Sequence, residues 1–149
     1  MTPPTPPSAL APIVRGLHHV AIAVPSIEEA RGLYESALGL RGTAIEEVED
    51  QRVRVLVLFA GAQRIELVEP AEDGSPISKF LDRSGGRGGI HHLAWEVADV
   101  ASAIERLLSD GVQMIDEAPR DGSHGTRIAF IHPKATGGVL MELVEDPHA

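Results

Sequence analysis

The sequence contains no cysteine, which excludes disulfide bonds, thiolate metal ligands and thiol catalysis. Aromatic residues make up only 3% of the chain, which argues against a surface that stacks nucleic-acid bases. No uninterrupted apolar run approaches the roughly 20 residues that a helix needs to cross a bilayer. The fold therefore has to be held by its own core, and we expect a cytoplasmic protein with no membrane partner.

Basic residues are also fewer than acidic residues. The chain has 13 lysines and arginines against 22 acidic residues, for a formal net charge of −9. This balance argues against a nucleic-acid partner, and an anionic small molecule would need a local basic rim. The length of 149 residues and the content of 43% hydrophobic residues are typical of one globular domain.

The N-terminal segment differs from the rest of the chain. Residues 1–12 contain five of the eleven prolines and no charged side chain. They lack the basic start and the continuous apolar stretch of a signal peptide. The composition predicts a disordered, proline-rich tail.

The main feature of the remaining sequence is an internal repeat. LHHVAIAVPSIEEA at 17–30 aligns with IHHLAWEVADVASA at 90–103, and RIELVE at 64–69 aligns with LMELVE at 140–145. The two offsets, 73 and 76 residues, differ only by three residues of loop. We therefore divide the chain into two copies, 13–83 and 90–146, joined by a glycine-rich linker at 84–89.

Each copy opens with an apolar β-type run followed by a helix start. Ser26 and Glu29 have the spacing of a capping box, Asp99 is a suitable N-cap, and Gly39 and Gly111 are typical helix ends. The β-type runs that follow are 41–49, 52–60 and 63–69 in the first copy and 112–116, 127–131 and 139–145 in the second. The pattern is βαβββ twice, which predicts an α+β fold with eight strands and two main helices.

Alternation along the strands sorts the histidines by face. His19 and His92 fall on the face that carries small alanines, whereas His18 and His91 fall on the bulky face and are expected to be core histidines. Glu66 and Glu142 leave the apolar face at matching places.

A lone histidine or glutamate in a strand is usually solvated or hydrogen-bonded, but the symmetric placement of all four residues favours metal ligation. We predict one divalent ion, of the Co, Mn, Fe, Ni or Zn type, bound by His19, Glu66, His92 and Glu142. His148, near the end of the chain, is expected to be exposed.

The repeated segments resemble the vicinal oxygen chelate superfamily, and most closely its methylmalonyl-CoA epimerases. HHVAIAV is shared widely in the superfamily, whereas IHHLAWEV together with FIHPK-x-x-x-GVLMEL is more specific, and the resemblance runs from Leu17 to Glu145. It implies that the two βαβββ modules form one domain, a curled eight-stranded cup with the helices on its outer face. It also implies a homodimer.

The resemblance further implies an isomerase that interconverts the 2R and 2S forms of methylmalonyl-CoA. Such an enzyme removes the proton at C2 and returns it on the other face, through a metal-stabilised enolate. The family's metal ligands correspond to His19, Glu66, His92 and Glu142, and we assign Glu142 and Glu66 as the two bases. Some members carry a catalytic glutamate where this chain has Val55, so Glu66 is the substitute.

The acyl-CoA phosphates must meet local cations on this acidic chain. Lys134, Arg127 and His124 are the predicted substrate-binding residues. A basic rim of Lys79, Arg83 and Arg87 is the alternative.

Three other functions fit the same superfamily. The first is a glyoxalase I-type isomerase that acts on a glutathione hemithioacetal. The second is an extradiol dioxygenase, which would use two histidines and one glutamate. The third is a metal-free protein that only binds a ligand, although such a binder would not need the intact set of two histidines and two glutamates.

Overall fold

The computed structural model describes residues 1–4 and 13–148. Its helices are α1 (Ile27–Gly32), which continues as a π-helical turn over Leu33–Ala37, α2 (Pro76–Arg83) and α3 (Val100–Ser109). Its strands are β1 (Val14–Ala23), β2 (Arg41–Gly42), β3 (Glu46–Val48), β4 (Val53–Ala60), β5 (Gln63–Pro70), β6 (Gly89–Val97), β7 (Arg120–Asp121), β8 (Arg127–Ile131) and β9 (Met141–Glu145). Among the described helices, none is long and apolar enough to span a membrane.

All nine strands belong to one mixed sheet that curls into a half-barrel. The order along the sheet is β2-β4-β5-β1-β6-β9-β8-β7, and β3 pairs with β4. β1 runs parallel to β5 and antiparallel to β6, which in turn runs parallel to β9. The first strands of the two halves therefore meet at the centre of the sheet, and the expected α+β cup is confirmed.

The convex face of the sheet carries the large apolar side chains, as strand alternation predicts. Leu56, Leu58 and Leu67 are fully buried and pack with Ile27 of α1. In the second half, Val97 and Leu143 pack with three residues of α3: Val100, Ala103 and Ile104. Each fully buried aliphatic side chain of this kind contributes about 1.5–3 kcal/mol to folding, so these two clusters fix α1 and α3 on the outside of the cup.

Local hydrogen bonds explain where these two helices begin. The hydroxyl of Ser26 accepts from the backbone N–H of Glu29 at 3.2 Å, and the carboxylate of Asp99 accepts from the N–H of Ser102 at 3.0 Å. Both bonds satisfy an N–H that the helix itself leaves unpaired. The two predicted N-caps are confirmed.

Helix α2 was not predicted, so the expectation of two main helices was too low. Ser75 caps it by accepting from the N–H of Ser78, and Pro76 occupies its first turn, where a missing N–H costs nothing. Ile77 and Leu81 are one turn apart, and both are buried in a cluster with Val55 and Val68. Because only these two residues of an eight-residue helix are buried, the apolar periodicity was too short to stand out.

Two predicted strands are shorter in the structure. The run at 41–49 divides into β2 and β3, and its last residue, Glu49, begins a 3-10 turn. Of the run at 112–116, only Met114 pairs, as an isolated bridge to Ile131. The division into copies at 13–83, 84–89 and 90–146 stays a prediction. The proline-rich tail predicted for 1–12 falls mostly on residues outside the described part of the chain.

At Gly88 the backbone of the linker passes close to the backbone of β1. Its φ is +79°, and a Cβ atom at this position would collide with the carbonyl oxygen of Ala23. We expect Gly88→Ala to lower the free energy of unfolding by about 2–4 kcal/mol, since a left-handed alanine costs about 1–2 kcal/mol even without a collision.

Gly85 provides the matched control for this prediction. It also has a positive φ, +69°, but no atom lies within 4 Å of its Cβ position. Urea denaturation should therefore show a loss of only about 1 kcal/mol for Gly85→Ala. Equal losses for the two variants would contradict the close approach.

Candidate metal centre

Three donor atoms converge where β1, β6 and β9 lie side by side. His19 Nε2 lies 3.3 Å from His92 Nε2 and 3.3 Å from Glu142 Oε1, and His92 Nε2 lies 3.5 Å from the same oxygen. The register explains the placement, because His19 pairs with Ala94, and Ala94 also pairs with Glu142 on its other side. The small alanine leaves room for the ring and the carboxylate to meet.

These separations fit a divalent metal ion. Two ligand atoms about 2.1 Å from a metal lie about 3.0 Å apart at an octahedral angle and about 3.4 Å apart at a tetrahedral angle. Two imidazoles and a carboxylate are ligands that Co, Mn, Ni, Zn and Fe ions accept. The three side chains are at most 6% exposed, so the ion would be bound inside the cup.

Glu66, the fourth predicted ligand, lies on the other side of the His19 ring. Its Oε2 is 3.2 Å from His19 Nδ1, and its strand position pairs with Ala21 of β1. The structure thus brings His19, His92 and Glu142 to one point and places Glu66 beside the second nitrogen of His19.

Burial dominates the electrostatics of this cluster. Burial raises the pKa of Glu66 well above its usual value, and the nearby carboxylate of Glu142 raises it further. Burial also lowers the pKa of His19 well below its usual value, followed by the effects of His92, His18 and Arg64. Buried carboxylates are costly without a compensating charge, and a bound divalent cation would supply that charge.

His18 and His91 do not lie on the packed convex face, which corrects the assignment made from strand alternation. Both line the cavity inside the cup. In the pairing of β1 with β6, His18 is the extra residue between the pairs Leu17–Trp95 and His19–Ala94. His91 is the corresponding extra residue in β6, and a β-bulge of this kind redirects the side chain.

The cavity inside the cup has a volume of about 280 Å³. Its lining combines apolar residues, among them Val48, Val55 and Phe130, with the histidines and glutamates of the cluster. The only lysines or arginines of the described chain that line it are Arg52 and Arg120. The sequence analysis missed both arginines, because nothing in their local pattern distinguishes them from solvated surface charges.

The residues predicted to bind the substrate lie away from this lining. Arg127 is exposed at the start of β8, Lys134 is exposed in the turn Pro133–Ala135, and His124 is exposed in the loop after β7. Of the alternative rim, Arg83 lines a second cavity, which shares His91, His92 and Leu140 with the first. Lys79 lines neither cavity, and Arg87 is exposed.

Contacts between the two halves cross the mouth of the cup. Arg120 donates from Nε to Asp50 Oδ2 at 2.8 Å and from Nη2 to the Asp50 carbonyl oxygen at 3.0 Å. The N–H of His124 donates to Glu46 Oε2 at 2.7 Å. These bonds join residues 46–50 of the first half to residues 120–124 of the second, directly above the cavity.

Glu46 is a further carboxylate that the sequence analysis did not select. It shares a strand face with Val48, which lines the cavity, and it is close enough to Glu66 to raise the pKa of that residue. It is not one of the three converging donors. The run at 41–49 gave no signal for it, because a strand without a known register does not show which of its glutamates faces the cup.

Comparisons with known proteins place the chain among characterised relatives. Residues 18–130 match the model of the Glyoxalase/Bleomycin resistance protein/Dioxygenase superfamily. The chain is 41% identical to the mitochondrial methylmalonyl-CoA epimerase of Dictyostelium discoideum over 87% of this chain and 77% of that one.

Solved structures are similarly close. The methylmalonyl-CoA epimerase of Mycobacterium tuberculosis superposes with a TM-score of 0.84 at 42% identity, covering 90% of this chain and 89% of that one. A methylmalonyl-CoA epimerase in complex with methylmalonyl-CoA and NH4+ superposes with a TM-score of 0.83 at 33% identity, covering 90% and 96%.

Proposed function

Because the chain belongs to the Glyoxalase/Bleomycin resistance protein/Dioxygenase superfamily, we propose that it is a metal-dependent epimerase that interconverts (2R)- and (2S)-methylmalonyl-CoA. The observation that carries the proposal is the convergence of His19, His92 and Glu142 at the floor of a cavity. Relatives named as this epimerase match the chain over most of its length. We further propose that the enzyme acts in the cytoplasm as a homodimer.

The proposed metal ligands are the two histidines and two glutamates of the repeat. His19, His92 and Glu142 would hold one divalent ion, and Glu66, which lies beside His19 Nδ1, is the proposed fourth ligand. A bound ion would supply Lewis-acid stabilisation for the negative charge that develops on substrate oxygen when C2 loses its proton.

Epimerisation needs one base on each face of C2, because the proton leaves one face and returns to the other. Glu142 comes from the second half and Glu66 from the first, so they approach the cavity from different sides. Burial raises the pKa of Glu66, which strengthens it as a base once it is ionised. We propose these two carboxylates as the bases.

Glu46 is a second candidate for the base on the Glu66 side. Unlike Glu66, Glu46 is partly exposed, and it faces the cup without contacting a histidine of the cluster. Its Oε2 accepts a hydrogen bond from the backbone N–H of His124. A carboxylate that does not bind a metal is the stronger base. Comparison of Glu66→Gln with Glu46→Gln separates the two assignments.

The substrate's acyl group would fill the cavity, and the CoA arm would leave through its mouth. Arg52 and Arg120 line that cavity, and Lys134, Arg127 and His124 remain the proposed cations for the more distant phosphates. The acidic chain would then carry its positive charge where the anionic ligand passes.

Proton exchange at C2, followed by NMR in deuterated buffer, tests the proposal. The metal-loaded protein should replace the C2 proton of methylmalonyl-CoA by deuterium and interconvert the two forms. A variant that lacks one base should still exchange the proton of one form while losing interconversion. The absence of any exchange by the metal-loaded protein would contradict the proposed function.

The rival functions have their own assays. Turnover of methylglyoxal with glutathione, without exchange on the CoA ester, would indicate the glyoxalase-type isomerase. Turnover of catechol with Fe(II) would indicate the dioxygenase. The lack of any tightly bound metal in the purified protein, together with tight binding of a drug-like ligand, would indicate the binding protein.

A further inference from the structure

A chain of hydrogen bonds leads from His19 away from the metal centre to a buried carboxylate. His19 Nδ1 lies 2.8 Å from His18 Nδ1, and His18 Nε2 lies 2.7 Å from Asp146 Oδ2. The side chains of His18, His19 and Asp146 are 5%, 4% and 7% exposed. These contacts are therefore shielded from water and fix the three groups relative to one another.

The chemistry of the three groups fixes the direction of these bonds. An ionised carboxylate only accepts, so His18 donates its Nε2–H to Asp146. When each ring carries a single proton, its other nitrogen is an acceptor, so His18 Nδ1 accepts and His19 Nδ1 donates. His19 Nε2 is then left with its lone pair, and this is the nitrogen that faces His92 and Glu142.

Further contacts hold Asp146 in place and keep it ionised. Its Oδ1 accepts from the backbone N–H of His148 at 2.8 Å, and its Oδ2 lies 3.6 Å from Arg64 Nη2. Burial alone would raise its pKa, but the hydrogen bonds from His18 and His148 and the charge of Arg64 keep the pKa of Asp146 below its usual value. Glu66 Oε2, which is 3.2 Å from His19 Nδ1, also favours a proton on that nitrogen.

We propose that Asp146, acting through His18, is a positioning residue that sets the tautomer and the ring orientation of His19 as a metal ligand. Carboxylates behind ligating histidines commonly change metal affinity by about 10- to 100-fold. In this protein a second imidazole carries the effect from the carboxylate to the ligand. The inference rests on the proposed metal site and adds to it a residue that does not contact the ion.

In the described part of the second half, no carboxylate stands behind the corresponding histidine pair. His91 Nδ1 lies 2.8 Å from His92 Nδ1, the same contact as in the first half. Behind His91, however, stands the ring of Phe80, with its centroid 5.0 Å away, and no carboxylate of the described residues hydrogen-bonds to His91. In the aligned copies RIELVEP and LMELVED, the counterpart of Asp146 is Pro70, whose side chain has no acceptor. Of the two histidines, only His19 is therefore linked through a second imidazole to a carboxylate among the described residues.

Affinity for Zn²⁺, measured by competition with a chromophoric chelator, tests the proposal on the full-length protein stripped of metal. Asp146→Ala should bind Zn²⁺ about 10- to 100-fold more weakly than the parent protein. Asp146→Asn should lose less, because its amide oxygen can still accept from His18 Nε2. Asp73→Asn, which removes a charge from an exposed turn, is the control and should stay within about twofold.

Histidine nitrogen NMR of the same metal-free samples gives a readout that does not depend on activity. The parent protein should show a proton on His19 Nδ1 and on His18 Nε2. In Asp146→Ala, the His18 ring should change to a mixture of tautomers, and the share of His19 that carries its proton on Nδ1 should fall. Thermal unfolding of the metal-free variants checks that each one is folded, and if Asp146→Ala does not fold, Asp146→Asn and His18→Phe carry the test.

A double-mutant cycle separates a connected chain from two independent effects. His18→Phe keeps a ring of similar size and removes both nitrogens. If Asp146 acts through His18, the Zn²⁺ affinity of His18→Phe should fall no further when Asp146→Ala is added. Additive losses would overturn the inference, as would Zn²⁺ affinity and tautomers unchanged in Asp146→Ala.

The proposed function and this inference fail in different ways. A parent protein that binds no divalent metal contradicts the metal site itself. A parent protein that binds Zn²⁺ tightly and exchanges the C2 proton, with Asp146 variants that bind equally well, contradicts only the role of Asp146.

Discussion

Replacing Glu142 with glutamine is expected to lower kcat/KM for epimerisation by about 10²- to 10⁴-fold, the range typical of a lost general base. Glu142 Oε1 lies 3.3 Å from His19 Nε2 and 3.5 Å from His92 Nε2, so the carboxylate stands both at the proposed metal centre and against the cavity. Glutamine has nearly the same shape, and the fold should therefore be kept.

The measurement has to separate a lost base from a lost ligand. Activity should be assayed at saturating metal, and the metal content of the same samples should be determined. Glu47→Gln is the matched control, because it makes the same substitution at an exposed glutamate of β3 that lies on the opposite strand face from Val48. A metal-loaded Glu142→Gln enzyme that keeps its kcat/KM within about tenfold would remove Glu142 from the list of bases.

Removal of the metal should have a second large effect, on activity and on stability together. Dialysis against a chelator is expected to lower epimerisation by at least about 100-fold, since Lewis-acid stabilisation is worth several kcal/mol. A ligand that binds only the folded state, at about 100 times its dissociation constant, adds about 2.7 kcal/mol of stability. For a domain of this size that corresponds to a rise of about 5–10 °C in Tm.

Restoring Co²⁺, Mn²⁺, Ni²⁺ and Zn²⁺ one at a time should identify the ions that return activity. His92→Ala is the companion variant, because it removes one converging donor and should lose most of the rise in Tm on adding metal. Full activity after exhaustive chelation, with no change in Tm when metal is added, would contradict a metal-dependent enzyme.

The repeat made most of the fold and much of the centre predictable. Two aligned segments were enough to pair His19 with His92 and Glu66 with Glu142, and the structure places His92 and Glu142 beside His19 Nε2. Strand alternation also identified the convex face. Large aliphatic side chains on one face of a strand are buried whichever strand lies next to it, so this prediction does not depend on the pairing register.

The features that depend on pairing register were not predictable. Alternation placed His18 on the packed face, whereas a bulge turns it toward the cup, and a bulge exists only relative to a neighbouring strand. Glu46 and Arg120 were missed for a related reason. Their role at the mouth depends on residues 46–50 meeting residues 120–124, which are about 70 positions apart in the chain.

Because β1 and β6 pair in antiparallel orientation, the boundary between the two halves passes through the candidate metal centre. In the proposed ligand set each half contributes one imidazole and one carboxylate, and one half alone has too few ligands to hold a divalent ion. A polypeptide of half this length would have to associate with a second copy to assemble the same ligand set. In the present chain the two halves are covalently joined, so they meet within one molecule. Assembly of the ligand set therefore does not depend on protein concentration.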